Sequence, residues 1–180
     1  ESFRTFVANY DKVNIHVEPV CYSTDDTAEL AEIFNGNEAL IKKYAEKLSI
    51  SFERVEYAKN NFIRVVKVMK AFVLNDSVKS FLCLNDKLPQ ENKGLFDIKL
   101  LEEFADAIIK LYGIKGLKGK DLLYSINSED YDAKRAEFIQ RLSKGEKLFV
   151  ISSYNTVGAG QNLQYKAPGN ATIVAVNDYD

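Results

Sequence analysis

The residues best suited to chemistry lie in VGAGQNL, Val157 to Leu163, inside KLFVISSYNTVGAGQNLQY. Gly158 and Gly160 let a backbone pass close to a ligand and offer free N–H groups, which is what phosphate recognition requires. Ser152 and Ser153, just upstream, add hydroxyls that can position a phosphate without reading sequence. A dinucleotide fingerprint of the G-x-G-x-x-G kind fits poorly. The apolar run Leu148 to Ile151 ends well before Gly158, and Leu163 stands where the third glycine belongs. The remaining alternatives are a ligand-facing glycine loop and a tight strand-to-helix connection.

Other chemistry is sparse. Cys21 and Cys83 sit in unrelated apolar segments without C-x-x-C spacing, and His16 is the one histidine, so a zinc cluster is not expected and no residue is singled out as a metal ligand. His16 falls in the alternating segment VNIHVEPV and reads as a strand residue rather than a base. Lys and Arg number 24 against 26 Asp and Glu, a net charge of -2, so any contact with nucleic acid must be local. No apolar run approaches the roughly 18 residues of a membrane span, and a cytoplasmic protein with reduced thiols is the expectation. Glu1 in place of an initiator Met suggests a fragment.

These residues need a scaffold, and 180 residues suffice for one buried core, with roughly 70% of the unfolded surface removed from water. Up to about Asn75 the signals are helical after an opening strand, Val13 to Val20. Thr24 or Asp25 can cap a helix over Asp26 to Phe34, Asn35-Gly36-Asn37 ends it, and Asn37 starts another, Glu38 to Leu48. From Ser51 to Val73 apolar residues recur at three- and four-residue steps, predicting a long amphipathic helix. Its polar side carries Asn60, Arg64 and Lys67, a face that either meets solvent or touches phosphates. From Lys79 the rhythm changes. SFLCLN, Ser80 to Asn85, reads as a strand buried on both faces. Asp97 caps a helix closed by Gly113, and Leu122 to Ile126 is the next strand. Ser128, Glu129 and Asp130 open a helix that Gly145 ends. Lys147 to Ser153 is a strand, Thr156 to Leu163 a loop or short helix, and Ala171 to Val176 a final strand. Strands alternating with helices of this length predict a parallel sheet in an α/β layer fold.

That order, with SFLCLN, RLSKGEKLFVISS and SSYNTVGAGQNLQY in sequence, resembles the C-terminal RecA-like lobe of superfamily 2 helicases and translocases. SFLCLN occupies the place of the family's motif IV strand. SSYNTVGAGQNLQY resembles motif V, with Gly158, Gly160, Asn162 and Leu163 on the family's Gly-x-Gly-x-Asn/Asp-Leu pattern. Tyr154 departs from it where a Thr is frequent. The resemblance covers residues 79–180 and divides the chain there, leaving 1–78 as a strand plus helical part packing on or inserted in the lobe.

The resemblance implies a P-loop NTPase-like fold without the P-loop and a parent protein that is an ATP-dependent helicase or translocase. ATP and Mg²⁺ would then be held by the other RecA-like lobe, since neither a Walker A segment nor a DExx box occurs here, and no catalytic residue is assigned to this chain. It places Gly158, Gly160 and Asn162 toward the nucleotide, and Ser152, Ser153, Tyr154, Asn155 and Thr156 toward the nucleic-acid backbone, with DNA ahead of RNA as the track. It also implies that the gene product continues past Asp180 into a Gln- and Arg-rich motif VI. The competing readings are a doubly wound enzyme for nucleotides or small molecules and a non-catalytic interaction module.

Overall fold

The computed structural model describes residues 19–21, 23, 25–53, 55–91, 95–127, 129–153 and 156, and the backbone of 163–166 and 173–177. The opening strand lies outside these residues except for Pro19 and Val20, which are irregular. His16, Thr24 and Ser128 also lie outside them.

Three helices come first. Helix α1, Asp26–Ile33, starts at Asp25, whose carboxylate accepts from the Thr27 and Ala28 N–H groups. Asn35 and Gly36, both at positive φ, turn the chain toward α2, Glu38–Ser51, capped by Asn37 through the Leu40 N–H. Helix α3 spans Glu56–Leu74, so the long helix expected from Ser51 begins later than its apolar period suggests. Phe52 ends α2 instead, its N–H bonding the Leu48 carbonyl. The period survives the break because Phe52 and Phe62 bury into the same core, ring centroids 5.4 Å apart.

Strand β1, Ser80–Asn85, leads through α4, Ile98–Leu111, and the short α5, Gly119–Leu122, to β2, Leu123–Ser125. Asp97 caps α4 through the Lys99 N–H, as its position predicts. Gly119 is packed so tightly that a Cβ there would strike the Glu102 carbonyl. Helix α6, Tyr131–Ser143, then returns the chain to β3, Leu148–Ser153, with Gly145 at φ 80° making the turn.

The three strands form an all-parallel sheet in the order β1-β3-β2, which makes the fold α/β. Leu148 to Ser152 on the central strand are buried throughout. Strand β1 is only half-buried over Ser80 to Leu84, unlike the doubly covered strand expected, because β3 is its one neighbour in this sheet. Alternation divides the core. Phe81, Cys83, Phe149 and Ile151 face a large cluster shared with α1 to α4, so the helical first part and the sheet bury a single core. Leu82, Leu148 and Val150 face a smaller cluster with Phe138 and Leu142 of α6. The chain moves one way across the sheet from β1 to β2 and back from β2 to β3. Right-handed crossovers therefore require the connecting helices on opposite faces, as found.

The last expected strand differs in its pairing. β5, Ile173–Asn177, runs antiparallel to β4, Leu163–Lys166, a strand the sequence does not announce. The connection from Lys166 to Ile173 is too short for a parallel crossover, which needs a dozen residues or more.

Candidate functional site

Parallel strands end together, so the exits of β1, β2 and β3 share one edge of the sheet. In register, Asn85 lies beside Ser153, and Ser125 beside Ile151. From β1 the chain leaves for the α4 face and from β2 for the α6 face. The end of β3 sits between these diverging connections, the crevice where open parallel sheets hold their ligands.

The hydroxyls singled out in sequence separate here. Ser152 is fully buried, and its Oγ–H donates to the Ile126 carbonyl at 3.0 Å, tying β3 to the exit of β2. Ser153 points to the other face. Its Oγ accepts the Thr156 N–H at 3.2 Å and lies 2.9 Å from Thr156 Oγ1. This side-chain-to-backbone bond gives the end of β3 a defined shape where the chain turns into helical backbone at Thr156. The structure therefore joins Ser153 and Thr156 and sends Ser152 elsewhere. Tyr154, Asn155, Gly158, Gly160 and Asn162 lie outside the described residues.

Two further groups on this edge were not singled out in sequence. At the end of β1, Asn85 Oδ1 accepts the Asp86 N–H at 3.0 Å and an Asn61 Nδ2 proton at 3.1 Å. Its own Nδ2 is buried without a partner. After β2, Asn127 and Asp130 exchange backbone-to-side-chain bonds, and Lys134 both pairs with Asp130 at 2.8 Å and donates to the Ser125 carbonyl at 2.7 Å. Burial works to raise the Asp130 pKa, but the Lys134 and Asn127 hydrogen bonds outweigh it and hold the carboxyl below its ordinary value. One turn along α6, Tyr131 Oη and Arg135 Nε are buried and unpartnered. The sequence signal for Asn85 is a polar amide closing an apolar strand; Asn61 carries none.

Cys83 is no nucleophile: burial pushes its thiol up to about 11, so it stays protonated at neutral pH. Among the described residues no group of three or more His, Cys, Asp and Glu side chains is placed to hold a metal ion, and no helix is long and apolar enough to cross a membrane. No protein-family model matches the chain, and no curated protein matches it in sequence. The likeness of Ser152 to Leu163 to motif V stands on those residues alone.

Proposed function

We propose that the chain is the second, RecA-like motor lobe of an ATP-dependent nucleic-acid helicase or translocase. The observation that carries this reading is the Ser153–Thr156 turn, at the end of the central strand of a parallel sheet, immediately ahead of Gly158 and Gly160. The Ser153 hydroxyl, braced by the buried Thr156, would contact the nucleic-acid backbone, a positioning contact rather than a sequence-reading one. Gly158, Gly160 and Asn162 would turn toward the nucleotide when two lobes close.

The described edge does not fit Mg²⁺–ATP by itself. Triphosphate binding needs a lysine and a hydroxyl at the head of a helix that leaves a strand. Helix α6, which follows β2, instead opens with Asp132 in its first turn and Asp130 before it, charges that repel phosphate. Hydrolysis is therefore assigned to the partner lobe, and this chain supplies track contact and closure.

The test is binding of fluorescein-labelled DNA and RNA, single- and double-stranded, to the 180-residue chain. Affinity should fall as salt rises, the mark of phosphate contact. Ser153→Ala combined with Thr156→Val should weaken it severalfold. No binding to any of these nucleic acids would overturn the reading, and ATP turnover by the purified chain would overturn the division of labour between lobes.

A further inference from the structure

A small cleft opens between the N-terminal half of α3 and the end of β1, lined by Tyr57, Asn61, Asn85, Asp86, Lys87 and Phe96 among others. Its wall holds an unusual group. Asn85 is 7% exposed, and the orientation of its amide is fixed, because the Asp86 N–H must meet the oxygen and not the nitrogen. Asn61 adds a second bond to that oxygen, so both known contacts fall on Oδ1 and the buried Nδ2 donor makes none. Native structures leave few buried polar groups unpaired, and such a donor, on a residue that lines a cleft, is a place for an acceptor.

The surroundings narrow what that acceptor is. Among the described residues lining the cleft, Asp86 and Lys87 carry opposite charges that cancel, so they do not draw in a bare phosphate. Asn85 Nδ2 is a neutral donor and matches a neutral carbonyl oxygen. Tyr57 is 71% exposed and offers a ring against which another flat ring can stack. Carbonyl edge and flat face together describe a nucleobase.

We infer that this cleft takes the edge of a nucleobase, Asn85 donating to a base carbonyl while Tyr57 stacks on the ring, an inference that rests on the nucleic-acid reading above. The lobe then holds its track by a base as well as by the backbone. Ser153, beside Asn85 in the strand register, puts the backbone contact next to the base contact.

The experiment compares two fluorescein-labelled oligomers of about twelve nucleotides, an oligothymidylate and an abasic strand with the same backbone, binding to the 180-residue chain. The thymidylate should bind at least about tenfold more tightly, the size expected of one stacked base. Tyr57→Ala, at an exposed position that leaves the fold intact by circular dichroism, should bring that ratio to within about twofold of unity. Asn85→Asp, which keeps the accepting oxygen and removes the donor, should move it the same way. Equal binding of the two strands by the unaltered chain, or a ratio that Tyr57→Ala leaves unchanged, overturns the inference. Both results leave the nucleic-acid reading standing, because the abasic strand still binds. If neither strand binds, the inference falls, and if the DNA and RNA probes above fail as well, the nucleic-acid reading falls with it.

Discussion

The seam between α1 and α3 and the C-terminal edge of the sheet are both polar, and they treat polar groups in opposite ways. In the seam, Lys67 Nζ meets Glu29 at 2.8 Å, Glu32 at 2.9 Å and the Cys21 carbonyl at 3.0 Å, while Glu29 also accepts the Ser23 N–H at 2.7 Å. Lys59 is held by Asp26 at 2.6 Å and Glu56 at 3.0 Å. Burial alone would lower both lysine pKa values, yet the hydrogen bonds and charges of these carboxylates raise them. Among the described residues, Asn85 Nδ2 at the end of β1 and Tyr131 Oη and Arg135 Nε on α6 are buried without a hydrogen-bond partner. The one such atom on α3, Asn60 Oδ1, sits next to Asn61 in the half of the helix that reaches the sheet edge. A closed network holds helices together, whereas leftover donors and acceptors are groups that a ligand can complete. On the α3 face that sequence left open as a phosphate contact, Lys67 belongs to the first kind and Asn60 to the second.

The largest expected effect comes from opening the seam. Glu29→Ala leaves Lys67 to Glu32 and the Cys21 carbonyl and removes the acceptor of the Ser23 N–H, and should cost about 1.5–3 kcal/mol in denaturant unfolding, since the buried carboxylate at the centre of the network is lost. A loss under about 1 kcal/mol would erase the contrast with the sheet edge.

Acid probes the same pair. Burial works to raise the Glu29 pKa, but hydrogen bonds from Lys67 and Ser23 win and hold it below its ordinary value of 4.5. The stabilisation is thus fully present above that ordinary value and is lost as pH falls through the lower, folded one. Thermal melts of the native chain should decline through this window more steeply than those of Glu29→Gln; parallel curves would show that Glu29 does not contribute.

Two tyrosines on the same face of the sheet sharpen the comparison at smaller scale. The Tyr124 hydroxyl lies 3.0 Å from both the Lys134 carbonyl and Glu137 Oε2, so Tyr124→Phe should destabilise by about 1 kcal/mol. Tyr131→Phe removes a buried hydroxyl that bonds nothing, and unfolding should shift by less than about 0.5 kcal/mol or toward greater stability. If Tyr131→Phe costs as much as Tyr124→Phe, the hydroxyl has a partner and the edge is closed like the seam.

What could be read from sequence was local. Asp25, Asn37 and Asp97 announce their helices because a cap bonds N–H groups two or three residues on. Ser80–Asn85 and the core of β3 are legible because an apolar run between polar residues has few other uses. The parallel sheet followed from the spacing of strands and helices, and Ser153 with the glycines after it pointed to the end of β3 as the candidate site. Tertiary structure decided the rest. The apolar period from Phe52 to Phe72 could not reveal its break at Phe52, because both sides of the break bury into one core. Ser152 and Ser153 are the same residue type in sequence, and only the packing of helices on both faces makes one a strand tie and the other part of the crevice. Asn61 and Asn85 meet only because α3 packs across the end of β1. Caps, turns and periodicity act over a few residues and are written into them, whereas the partner of a polar group, or its lack of one, depends on chain segments brought together by burial of the core.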